Sequence, residues 1–218
     1  MALIEYQPPT DPWIEVVFED ADILVVNKPS GLLSVPGREP QHYDSMWSRV
    51  VEAYPQAQAV HRLDMSTSGL MLFAKHKEAE RHLKKQFQYR LTHKLYYARV
   101  WGKVELAEGD VDLPLICDWP NRPLQKVDWE QGKNAQTRFK ILARESEATR
   151  LSLFPKTGRS HQLRVHCLAL GHPILGDPFY APFEQQNAAS RMQLHAEALS
   201  LFHPTGGERL VVKAPTPF

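Results

Sequence analysis

Cysteine is nearly absent from these 218 residues: Cys117 and Cys167 are the only two, too few and too far apart for a disulfide framework or a metal knuckle. Reduced, buried thiols are the expectation. Long apolar runs are missing as well. None approaches the ~18 residues of a membrane span, and the opening MALIEYQPPT has neither a basic n-region nor an apolar h-region. A soluble cytoplasmic protein without a membrane partner is expected. An excess of one charge is also lacking: 26 Lys and Arg against 25 Asp and Glu leave a net charge of +1, which argues against a nucleic-acid partner if taken alone. That total conceals an asymmetry. Residues 1–27 hold six acids and no Lys or Arg, so the rest of the chain is net +7. Within it, residues 75–94 carry five Lys and two Arg against two Glu, with three histidines besides. Such a segment is either a phosphate-facing surface or a solvated helix face.

Several chemistries are missing their signatures. KTGRSH does not complete a Walker loop, and no dinucleotide glycine fingerprint is present. His161, His166 and His172 cluster without an accompanying acid, a pattern that suits hydrogen-bonding or RNA-contacting histidines better than metal ligands. His61, Asp64 and Ser68 share one short segment, and no strand-turn-helix elbow presents a serine nucleophile, so a metal-independent hydrolase lacks a paired base.

What is present reads as a globular α+β chain: hydrophobic residues make up 43% and charged residues 23%. Residues 1–12 read as an N-terminal tail and 13–218 as one catalytic domain. Short strands are expected near Val16 to Phe18 and Ile23 to Asn27. Asp44 is expected to cap a helix with Trp47, Val50, Val51 and Tyr54 on its inner face, stopped by Pro55. Lys77 to Gln88 reads as a helix with Leu83 and Phe87 inward and Arg81, Lys84, Lys85 and Gln88 outward. HKLYYARVWGKV alternates as a strand, which sends Tyr96 and Tyr97 to opposite faces. Residues 102–136 read as an irregular insertion with short strands, GRSHQLRVHCLALGHP as a turn running into a short helix, and His195 to Phe202 and Arg209 to Lys213 as late strands. Without regular βαβ alternation, the sheet should be mainly antiparallel.

The stretch VHRLDMSTSGLMLFAK, residues 60–75, holds a carboxylate between an arginine and a Ser/Thr/Gly turn. HRLDMSTSGL resembles the H-R-L-D-x-x-T-S-G-L signature of the RluA family of pseudouridine synthases. NKPSGLLSVPG, KLYYARVWG, TGRSHQLRVHCLALGHPILGD and QLHAEALSLFHP match further family segments in the same order, so the resemblance covers the chain from about Trp13 onward. It implies the pseudouridine synthase fold, a mainly antiparallel mixed sheet flanked by helices and loops. It also implies isomerisation of uridine in RNA: the N-glycosidic bond breaks, the uracil turns, and C5 joins C1′. Many relatives carry an S4-like RNA-binding domain. With few residues before Trp13, none is expected here, and RNA choice is expected to rest on the catalytic domain.

By the motif, Asp64 is the catalytic carboxylate. An ionised aspartate is available at neutral pH to attack the sugar or to take a proton from C2′ and give a glycal. Arg164 is its implied ion-pair partner, although a surface helix arginine is the plain reading. Tyr96 is implied to stack on the uracil and is a candidate for removing the C5 proton. The target uridine must leave its stack, and Arg62 is the candidate to fill the gap. Leu194 packs against the uracil or serves as a core leucine; Lys28 contacts the RNA backbone or closes a loop. Arg81, Lys84 and Lys85 belong to the RNA-facing surface. No metal or cofactor is implied, since the isomerisation is redox-neutral and needs no group donor. The implied substrates are position 32 in tRNA anticodon stem-loops and position 746 in a similarly folded 23S rRNA hairpin; a monomer without a protein partner is expected. A non-catalytic RNA-binding module with the same fold is the competing reading.

Overall fold

The computed structural model describes residues 6–218. Part of the segment read as a tail, residues 1–5, lies outside the described residues; the rest is tied down. The Tyr6 hydroxyl donates to the Asp44 carbonyl at 2.7 Å, and the Pro9 carbonyl accepts from Arg49 Nη2 at 2.8 Å. The chain forms two compact units, one running to Thr92 and resuming over Ala196–Thr216, the other spanning His93–His195 with Pro217–Phe218. Both are mixtures of antiparallel strands and a few helices.

In the first unit β1 (Val16–Glu19), β2 (Ile23–Lys28), β3 (Gln58–Ala59) and β4 (Ser68–Ala74) pair antiparallel. β2 and β4 are nearly continuous apolar runs because both faces of their sheet are covered. Ile23, Val25, Leu70 and Leu72 pack with Ala79 and Leu83, whereas Leu24, Val26, Met71 and Phe73 pack with Met46 and Val50. The first of these faces is closed by α2 (Lys77–Gln88), the second by α1 (Met46–Ala53). α2 carries the expected pattern, with Leu83 inside and Arg81, Lys84 and Lys85 exposed. α1 corrects its expected cap. Ser45 takes the N-cap and closes a capping box with Ser48, because the Asp44 carboxylate is taken by Arg49, at 2.8 Å to both Nε and Nη2.

The second unit is built on β5 (His93–Trp101), which pairs with β10 (Ala148–Pro155); β10 pairs with β9 (Gln136–Arg144), and β9 with β6 (Glu108–Asp112). Inside the region expected to be irregular, β7 (Leu115–Cys117) and β8 (Gln125–Val127) form a separate hairpin. α3 (Gln162–Ala169) sends Leu163 and Cys167 into a core shared with Ala98, Val100, Phe139, Leu151 and Leu153. Burial pushes the Cys167 thiol up to about 12, so it stays protonated; Cys117 is only half-buried. A short helix, α4 (Phe183–Asn187), follows. β11 (Leu194–Phe202) starts in this unit and continues in the first, where it pairs with β12 (Arg209–Lys213).

Candidate active site

Asp64 sits half-buried in the loop between β3 and β4. Its own carbonyl accepts from the Thr67 N–H at 3.1 Å, which folds the loop into a turn. The residues around it are gripped by the segment that follows β2. Ser34 Oγ accepts from the Leu63 N–H at 2.9 Å and donates to the Leu63 carbonyl at 2.7 Å. Gly31 N–H and Lys28 Nζ both donate to the Met65 carbonyl, at 2.9 and 3.1 Å, and Ser30 Oγ donates to the Ser66 carbonyl at 2.7 Å. The backbone is thereby fixed on both sides of Asp64, which sets the point from which its carboxylate projects. Behind the loop, Gly69 has φ +114, and a Cβ there would come within 2.4 Å of the Ala196 carbonyl oxygen. Only glycine permits that approach.

Lys28 takes the loop-closing one of its two expected places. It is fully buried, and its ammonium donates to the carbonyls of Pro29, Leu32 and Met65 at 2.8, 2.7 and 3.1 Å, so it closes the loop and does not present a cation to RNA. Arg62, two residues before Asp64, is exposed, as base stacking or phosphate contact requires. On α2 the cations differ. Glu80 is buried and receives hydrogen bonds from Lys77 and Lys84, which hold its carboxyl below the usual range. Lys84 is therefore partly neutralised, while Arg81 and Lys85 make no ion pair among the described residues.

In the second unit Tyr96 lies on β5 opposite Leu153 and packs against the core that contains Leu163 and Leu194. Leu194 is 2% exposed and belongs to that core. Arg164 is not a surface helix arginine. At 2% exposure it donates from Nε and Nη2 to the two carboxylate oxygens of Asp177, each at 2.7 Å, and its guanidinium lies 5.2 and 5.0 Å from the ring centroids of Phe179 and Tyr180. Asp177 is itself fully buried, and its Oδ1 also accepts from the Phe179 and Tyr180 backbone at 2.9 and 3.2 Å. Arg164 thus reaches its position already desolvated and oriented. The three histidines have separate partners: His161 Nδ1 lies 2.7 Å from the Tyr180 hydroxyl, His166 Nδ1 2.9 Å from Thr137 Oγ1, and His172 Nδ1 2.8 Å from the Trp101 carbonyl. His166 is buried, and desolvation lowers its pKa.

Asp64, Arg62 and Lys28 belong to the first unit; Tyr96, Arg164 and Leu194 belong to the second. Sequence reasoning missed Asp177, Ser30 and Ser34. A signal for Asp177 existed, since it is the one acid in TGRSHQLRVHCLALGHPILGD and a buried arginine requires a carboxylate.

Residues 22–169 match the RNA pseudouridylate synthase family. Two curated relatives are named dual-specificity RNA pseudouridine synthase RluA. The protein from Vibrio vulnificus is 65% identical over 94% of this chain and 84% of its own length. That from Escherichia coli K12 is 56% identical over the whole of both chains. Among solved structures, human RNA pseudouridylate synthase domain containing 1 superposes with a TM-score of 0.80 at 29% identity, covering 97% of this chain and 87% of the other.

Proposed function

The chain belongs to the RNA pseudouridylate synthase family, isomerases that act on RNA, and from that premise we propose that it converts uridine to pseudouridine with Asp64 as the catalytic group. The observation that carries this assignment is the loop around Asp64. Leu63, Met65 and Ser66 are all pinned through backbone atoms, so the one carboxylate among them projects from a rigid turn. A carboxylate so placed serves either route: attack on C1′, or removal of the C2′ proton to give a glycal. Both break the bond to N1 of uracil and join C1′ to C5, as the carboxylate leaves C1′ in the first route or the proton returns to C2′ in the second; the C5 proton is then lost and N1 gains one.

The target base has to leave its stack at a cost of a few kcal/mol, least in a loop. Exposed Arg62 is the side chain proposed to occupy the gap. Tyr96 is proposed to take the uracil ring by stacking, and Arg164 to supply a positive field that favours the ionised carboxylate. Leu194 is proposed as apolar backing for that ring. The proposed substrates are a tRNA anticodon stem-loop and a 23S rRNA hairpin of similar shape. Two targets of one protein fit the name dual-specificity carried by the relatives.

The test uses both hairpins labelled with tritium at uracil C5. The parent protein is expected to release label from each, and Asp64→Asn from neither. Equal release by Asp64→Asn would remove the carboxylate from the chemistry; binding without release by the parent would leave an RNA-binding module.

A further inference from the structure

The β7–β8 hairpin carries an aromatic ring that the interior does not use. Trp119, on a single 3-10 turn spanning Trp119–Asn121, is 68% exposed. Arg122 covers one side of it, with Cζ 3.9 Å from the ring centroid. The turn itself is rigid without help from the indole: Asp118 N–H donates to the Leu124 carbonyl at 2.9 Å, Leu124 N–H to the Asn121 carbonyl at 3.1 Å, and Asn121 Nδ2 to Asp118 Oδ2 at 2.9 Å. Below the turn, Leu115 and Val127 pack with Val165 of α3 and with Tyr180. Gln125 N–H donates to the Tyr180 hydroxyl at 2.8 Å, the same hydroxyl that meets His161. The hairpin is therefore an arm fastened to the corner that holds Arg164.

We propose that Trp119 and Arg122 form a stacking clamp for an unpaired base beside the uridine being isomerised. This rests on the reading of the chain as an enzyme acting on RNA, and it names how RNA is gripped. A tryptophan backed by a guanidinium keeps a flat apolar face for a second planar partner, and every nucleobase offers a π-face. Arg122 adds a cation able to reach a phosphate. Unstacking one loop nucleotide leaves its neighbour exposed, and a ring on a rigid arm restores a stacking partner with little loss of side-chain entropy.

The experiment compares Trp119→Ala and Trp119→Phe with the parent on an anticodon stem-loop hairpin. KM and kcat are read for isomerisation. A second reading follows the emission of 2-aminopurine, placed next to the target uridine, in complexes with Asp64→Asn so that no turnover intervenes. Trp119→Ala is expected to raise KM about tenfold, more than it lowers kcat. Trp119→Phe recovers most of the loss, and the quenching of 2-aminopurine disappears in the Trp119→Ala, Asp64→Asn double variant. Unchanged KM and unchanged quenching overturn the proposal. So does a loss that tracks a lowered Tm, which assigns the ring to folding, or a changed self-association without a changed KM, which assigns it to protein contact. Asp64→Asn in the label-release assay tests the chemistry and Trp119→Ala tests the grip, so the two readings fail separately.

Discussion

The loop of Asp64 and the corner of Asp177 hold their carboxylates by opposite means. Around Asp64 the neighbours are fastened and the side chain is half-buried; at Asp177 the side chain is itself the fastening, sealed from water and clasped by Arg164. A carboxylate proposed to react needs a fixed base, which the fastened neighbours of Asp64 supply; at Asp177 the oxygens serve the groups they hold. The contrast extends to the lysine and arginine nearby. Lys28 spends its ammonium on backbone carbonyls beside Asp64, and Arg164 binds a side chain.

The largest effect on stability should come from the corner. Asp177→Ala leaves a buried guanidinium without its bidentate carboxylate and is expected to lower unfolding free energy by about 3–5 kcal/mol, read from the denaturant midpoint. Replacing both partners with leucine should recover much of that loss while activity stays low, since the packing is restored and the oriented cation is not. A double variant no more stable than Asp177→Ala would mean that the pair does more than satisfy itself.

Lys28→Met should cost less, about 2 kcal/mol, because three carbonyls lose one charged donor. Its signature lies in the kinetics: pseudouridine formation should fall more than hairpin affinity does, since the loop carrying Asp64 loosens. A parallel loss of affinity would return Lys28 to an RNA-contacting role.

Charges outside both regions set the low end of the scale. Arg81→Glu with Lys85→Glu should leave stability within about 0.5 kcal/mol yet weaken hairpin binding and flatten its salt dependence, by roughly one unit of slope for each phosphate no longer neutralised. An unchanged slope would remove α2 from the RNA surface. Smallest is a pH effect. The Thr205 carbonyl, against some burial and with help from Asp20, raises the pKa of His203 above its ordinary value. That stabilisation is complete below the ordinary imidazole value and is lost as pH rises through the raised one. Asp20, held below its usual range by the Ile23 and Asp22 N–H groups although burial opposes them, acts with the opposite sign, its contribution disappearing only in acid. His203→Gln should flatten the fall of Tm on the alkaline side; an undiminished fall would place the titration elsewhere.

Much of this is readable from the sequence wherever a period governs. α2 and β12 emerge at the bounds that alternation and helical spacing imply, and Ala98 and Val100 turn inward on the face of β5 that alternation gives to Tyr96. The motif around Asp64 is equally plain, since its residues are adjacent in the chain. What escapes are bonds between distant positions. The expectation that Asp44 caps α1 fails because Arg49 competes for it, and a lysine defaults to the surface unless several carbonyls converge, as they do on Lys28. Asp177 is the one acid in its segment, yet that becomes a signal only once Arg164 is known to be buried, and no local pattern says that Ser34 reaches Leu63.

The most direct test of the role given to Asp64 is single-turnover pseudouridine formation by Asp64→Asn at saturating hairpin, measured alongside its Kd. The expected result is a rate lower by more than about a thousandfold with Kd within a few-fold of the parent, because the amide keeps the shape of the loop and loses only the charge. A rate that falls only in proportion to weakened binding would contradict that role.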